Sequence, residues 1–144
     1  MISCLILGGC QKKSDGVDIN DKPVSLSDYR GKWVVINYWA TWCEHCAHEM
    51  PELQALVKKY PDKVCVLGVN FDGATQDEIH KTQKKIGITY PLLQQLSLEK
   101  YGIDPIESLP VTFIFCPQGV LRATLHGPQT AEKIAQLTNL AASQ

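Results

Sequence analysis

The sequence predicts an α/β domain built on a central mixed β-sheet flanked by helices. Three observations carry this. Residues 33–38, Trp-Val-Val-Ile-Asn-Tyr, form an apolar run crowded with β-branched and aromatic side chains, the pattern of a buried strand. Behind it Leu53, Leu56, Val57 and Tyr60 recur at i, i+3, i+4 and i+7, the stripe of an amphipathic helix, before residues 63–71 form a second buried strand. A helix between two strands makes them parallel through a right-handed crossover. Residues 111–115 and 120–125, joined by Cys116-Pro117-Gln118-Gly119, read instead as an antiparallel hairpin closed by a type I turn. Parallel and antiparallel pairs together make the sheet mixed.

The totals set the bounds. With 144 residues the chain is long enough for one domain with a core of its own. Its 44% hydrophobic and 20% charged residues are globular proportions, and a net charge of −1 argues against a nucleic-acid partner. Six cysteines are too few and too unevenly placed for a disulfide scaffold. No stretch is long enough to span a membrane.

Taken in order, the chain begins with a short apolar segment ending in Leu7-Gly8-Gly9-Cys10, which resembles a bacterial lipobox, where the cysteine is lipidated and becomes the mature N-terminus. Gln11-Lys12-Lys13-Ser14-Asp15-Gly16 then suits a polar tether. The apolar stretch is short and no Lys or Arg precedes it, so residues 1–17 read as a truncated signal with lipobox and tether. The folded domain is expected over residues 18–144. Asn20, Asp21 and Pro23 punctuate a turn between short strand segments, and residues 27–32 make a second turn into the central strand. Pro51 falls inside the first helix and should bend it. Cys65 reads as a small core residue of the second strand. Thr75-Gln76-Asp77-Glu78 has capping-box spacing and opens a polar helix stopped by Gly87, with His80 on its solvated face. Residues 97–101 form a short helix stopped by Gly102, and a last helix after Gly127-Pro128-Gln129-Thr130 should turn Ile134, Leu137 and Ala141 inward.

The chemistry lies in Trp39-Ala40-Thr41-Trp42-Cys43-Glu44-His45-Cys46-Ala47-His48-Glu49-Met50-Pro51. The cysteines sit where a strand ends and a helix begins, and there the orphan N–H groups and the helix dipole favour negative charge. Cys43 should be partly exposed and biased toward thiolate. Cys46, one turn inside, is close enough to close a disulfide with it. Such a C-x-x-C is a redox motif in a βαβ setting. A structural zinc usually needs a second ligand pair, and no second C-x-x-C exists.

The string W-A-T-W-C-x-x-C-x-x-E-x-P resembles the TlpA/ResA/CcmG branch of the thioredoxin superfamily, from about Asp18 to near the C-terminus. The resemblance implies a thioredoxin fold with an N-terminal hairpin, and an insertion formed by the polar helix and residues 89–93. It implies an envelope thiol-disulfide oxidoreductase whose redox-active disulfide serves in place of a cofactor. Cys43 would attack and Cys46 resolve. Glu49 would help set the proton balance, with Asn37 where thioredoxin keeps a buried aspartate. It further implies a cis Leu109–Pro110 bond facing the disulfide, so that Leu109, Pro110 and Trp42 meet the substrate.

Glu44 and His45 should modulate the site in opposite directions, since a carboxylate opposes a thiolate and a protonated imidazole favours it. The leading reading is a lipid-anchored protein on the extracytoplasmic or periplasmic side of a membrane. It would reduce selected client proteins, such as apocytochrome c before haem attachment, and draw electrons from a membrane thiol-disulfide donor. Two other readings stay open: an oxidant of folding proteins, and a copper-handling protein using Cys43, His45, Cys46 and His48. Relatives often carry an acidic residue where Cys116 stands, and the sequence leaves the role of this cysteine undecided.

Overall fold

The computed structural model describes residues 13–143. In chain order the elements are β1 (Gly16–Asp18), β2 (Pro23–Val24), β3 (Trp33–Trp39), α1 (Glu44–Lys59), β4 (Val64–Asn70), α2 (Gln76–Ile86), β5 (Leu92–Leu96), β6 (Val111–Phe115), β7 (Leu121–His126) and α3 (Ala131–Leu137). Short 3-10 turns cover Leu26–Tyr29, Glu99–Tyr101 and Leu140–Ser143. The strands form one seven-stranded sheet in the order β2-β1-β5-β4-β3-β6-β7. β3, the strand that delivers the cysteines, is central. It runs parallel to β4 and antiparallel to β6, and β4 runs parallel to β5. The mixed sheet and the hairpin after Val111 are as the sequence predicts, with the second strand at Leu121–His126, one residue later than 120–125.

Side-chain alternation along β3 sorts the core into two clusters. Val35 and Trp39 face α1 and pack with Met50, Leu53 and Leu56, together with Ile79 of α2 and Ile134 of α3. Val34, Ile36 and Tyr38 face the other way and pack with Leu67, Val69, Val111 and Phe113. That second face is covered by Leu26, Tyr29, Leu98, Tyr101, Ile103 and Ile106, which belong to 3-10 turns and loop rather than to a helix. α2 begins at a complete capping box, with Thr75 and Glu78 bonded reciprocally, and ends at Gly87 with φ 78°.

Four expectations are corrected. Leu137 is 50% exposed and Ala141 is exposed, whereas Ala135, Thr138 and Leu140 are buried with Ile134. Within α3 the buried face runs through Ile134 and Ala135 toward Thr138, which leaves Leu137 outside it; Ala141 is displaced because α3 stops at Leu137 and Asn139 takes φ 52°, so the helical spacing does not continue to residue 141. Residues 92–96 form a strand that the sequence reading left unassigned. Cys65, near the start of β4, packs against the second core cluster but is half-buried rather than fully enclosed. Folded structure also starts before residue 18: the Asp15 carboxylate accepts from the Leu26 amide at 2.7 Å, and Gly16 lets β1 approach the carbonyl of Gln95 closely. The lipobox, including Cys10, lies outside the described residues. Among those that are described, no helix is long and apolar enough to cross a membrane.

Candidate active site

β3 ends at Trp39, and the turn from Ala40 to Cys43 closes with the Cys43 amide donating to the Ala40 carbonyl at 3.2 Å. The Thr41 amide and hydroxyl both donate to the Asp72 carboxylate, at 3.3 and 2.6 Å, which fastens this turn to the segment after β4. α1 starts directly behind it. Cys43 is the N-cap residue of α1, and its sulfur accepts the Cys46 amide at 3.2 Å. An orphan N–H of the helix end is therefore aimed at this sulfur, where it favours negative charge. Cys43 and Cys46 are joined in a disulfide with Cα atoms 5.3 Å apart. Cys43 is more buried than expected, at 7% exposure, because capping turns its sulfur inward; Cys46 is fully buried at 0%.

Beneath the pair, one turn further along α1, Glu49 is 1% exposed. The sheet supplies its partners. Gly68, Asn37 and Thr112 occupy one row across β4, β3 and β6. Asn37 donates from Nδ2 to Glu49 Oε2 at 3.1 Å, and the Thr112 hydroxyl donates to Oε1 at 3.1 Å. The Gln129 backbone also favours the ionised carboxylate. Burial pushes the Glu49 carboxyl up to about 7, with these bonds pulling against it. A carboxyl that titrates near neutrality beneath a dithiol can take up and return a proton. Gly68 contributes no side chain to the row, and the space is filled by Leu92, the Tyr90 ring and the Trp39 indole. Burial, then the charge of Glu49, raises the Tyr90 phenol above its ordinary range.

The second half of the site comes from the loop before β6. The Leu109–Pro110 bond is cis. Val111, the next residue, pairs with Tyr38 near the end of β3, so Pro110 lies at the edge from which the cysteine loop departs. Leu109 is half-buried against the cluster that holds both cysteines. Trp42 stands 69% exposed beside Cys43.

The residues of the copper reading do not assemble. Both sulfurs are buried while His45 and His48 are exposed on α1, and among the described residues no group of three or more His, Cys, Asp or Glu side chains could hold a metal ion. Glu44 is exposed as well. Cys116 is a buried strand-end residue at 3% exposure, and burial pushes the Cys65 thiol up to about 11, away from reactivity.

The chain matches the model of the AhpC/TSA family over residues 10–124. Thioredoxin-like protein YneN of Bacillus subtilis is 37% identical over 119 residues, which cover 81% of this chain and 69% of that protein. Thiol-disulfide oxidoreductase ResA of Geobacillus thermodenitrificans is 35% identical over 123 residues, covering 83% and 68% respectively. The chain belongs to the AhpC/TSA family. Within it, the protein is a thiol-disulfide oxidoreductase of the ResA type with a thioredoxin fold. A DsbF homologue from Corynebacterium diphtheriae has the same fold, with a TM-score of 0.77 at 27% identity over 87% of this chain and 82% of that one. The oxidoreductase keeps the C-x-x-C pair of the sequence reading, but the surroundings of Glu49 extend beyond it. Sequence reasoning reached Asn37 by resemblance and missed Thr112, Gln129 and Tyr90. Thr112 alone carried a usable signal, as the one polar residue in the apolar run of β6.

Proposed function

We propose that this oxidoreductase works as a reductant of disulfides in selected client proteins on the extracytoplasmic side of a membrane. The observation that carries the direction is the buried Glu49. Stabilising the Cys43 thiolate would stabilise the reduced protein and make its disulfide oxidising. The helix end pushes that way, whereas a carboxylate held out of water at 1% exposure pushes back, unscreened by salt. Glu44 and His45 are both exposed, so solvent weakens their opposing effects.

In the reductive cycle the Cys43 thiolate attacks a client disulfide, forming a mixed disulfide and releasing one client thiolate, which is protonated from solvent. The Cys46 thiol then gives its proton to Glu49 and attacks the Cys43 sulfur. The second client thiolate leaves and is protonated, and the Cys43–Cys46 disulfide is formed. Client backbone would meet Leu109 and Pro110, with Trp42 covering an apolar side chain. The compartment is inferred from Leu7-Gly8-Gly9-Cys10, where lipid on Cys10 would hold the domain at the membrane beside its thiol-disulfide electron donor. Equilibration with glutathione buffers tests the direction. The expected potential lies nearer thioredoxin's roughly −270 mV than the roughly −120 mV of a dedicated oxidant, and a value above about −180 mV overturns the proposal.

A further inference from the structure

Thr112 is buried at 0% exposure in a strand whose other residues are Val111, Phe113, Ile114 and Phe115. Packing by itself would suit valine, which has nearly the same shape. A buried hydroxyl costs free energy unless it is hydrogen-bonded. Here its one proton goes to Glu49 Oε1, and its oxygen accepts Asn37 Nδ2 at 3.1 Å. Since Asn37 also donates to Glu49 Oε2, the three side chains close a triangle that joins β3, β6 and α1.

We propose that Thr112 is a positioning residue of the redox site: its hydroxyl holds the Glu49 carboxylate in place and sets the pH range in which that carboxylate can receive the Cys46 proton. This deepens the proposed function and rests on the reading of Glu49 as proton acceptor. Hydrogen bonds donated to a carboxylate favour its ionised form. Without the Thr112 hydroxyl, Glu49 would stay protonated to higher pH, and a smaller fraction of it could receive the Cys46 proton at neutrality. The titratable groups facing Glu49 are Cys46, one turn earlier on the same helix, and Tyr90 from the segment before β5. Asn37 and Trp39 of β3, Thr112 of β6 and Gln129 before α3 do not titrate in this range. Thr112 also lies two residues beyond Pro110, so the strand that carries the client edge carries the donor to the carboxylate.

The test isolates the resolving step. The full chain is prepared with Cys4→Ser, Cys10→Ser, Cys65→Ala and Cys116→Ala, leaving Cys43 and Cys46. Reduced protein in excess is mixed with dithiobis(nitrobenzoate). Attack by Cys43 releases one nitrothiolate and leaves the other as a mixed disulfide, and attack by Cys46 then releases the second. The pH profile of the second release is the readout. For Thr112→Val the midpoint should rise by about one unit, the scale of a lost charge-assisted hydrogen bond. Thr112→Ser should restore it, and Thr112→Val should have no further effect in a Glu49→Gln background. Where the valine variant does not fold, Thr112→Ala removes the same hydroxyl by truncation. An unshifted Thr112 variant, in a protein whose profile does respond to Glu49→Gln, overturns the role of Thr112 and leaves the proposed function standing. A profile indifferent to Glu49→Gln removes the proton-acceptor reading and this proposal with it.

Discussion

Cys43 has two roles at one sulfur, as N-cap of α1 and as the more accessible half of the pair. The cap directs a helix-end N–H at it, and a helix N-terminus contributes up to about 2 kcal/mol in partly buried geometry, up to about a thirtyfold gain in thiolate. Cys46 has no such position and no exposure. In the reduced protein at neutral pH, iodoacetamide should therefore modify Cys43 at least about tenfold faster than Cys46, as read by peptide mass mapping; preferential labelling of Cys46 would reverse the assignment. These two residues were legible from spacing, because a strand, C-x-x-C and an amphipathic stripe fix where the sulfurs must be. The surroundings of Glu49 were not. Thr112 and Gln129 reach it through strand register and the docking of the α3 loop, neither of which leaves a periodic trace in sequence.

At the scale of elements, Gly68 shows how one strand makes room for another. A Cβ at this position would meet Leu92 Cδ2 at 2.6 Å and the Tyr90 ring at 3.2 Å. These groups belong to the entry of β5, which pairs with β4 at Gly68 itself. Gly68→Ala should cost about 1–3 kcal/mol by overpacking, lowering Tm by roughly 3–9 °C. Calorimetry reads this directly, and an unchanged Tm would mean that β5 shifts freely. The elements that sequence made legible carry strong local signals: the apolar runs of β3 and β4, the Thr75–Glu78 capping box, and Pro117 with Gly119 in the hairpin turn. β5 escaped because Gln94 and Gln95 interrupt its apolar pattern, and its pairing with β1 and β4 is non-local. Ala141 was misplaced because Asn139, in the left-handed region, ends the helical spacing without a glycine to announce it, and Leu137 because the buried face of α3 runs through Ile134 and Ala135.

The whole molecule bears the cost of a buried acid. Folded, Glu49 keeps its proton up to about 7, whereas its ordinary value is 4.5. Between those values the native state binds more protons than the unfolded one, so the stability tied to Glu49 is full below about pH 4.5 and is lost as pH rises through 7. The loss is on the order of 3 kcal/mol. Glu49→Gln should accordingly gain stability over the parent at pH 8 and lose that advantage near pH 4, measured by urea denaturation at both; a difference independent of pH would contradict the assignment. The sheet order has a consequence of another kind. The cysteine loop and the Pro110 edge meet at β3 and β6, neighbours in space whose connection runs through α1, β4, α2, β5, the 3-10 turn over Glu99–Tyr101 and the loop over 102–109. A chain severed in that loop divides into one fragment holding Cys43 and Cys46 and another holding Pro110 and Thr112. Complementation between two such halves would then report on the β3–β6 seam, with exchange activity returning only when both are mixed.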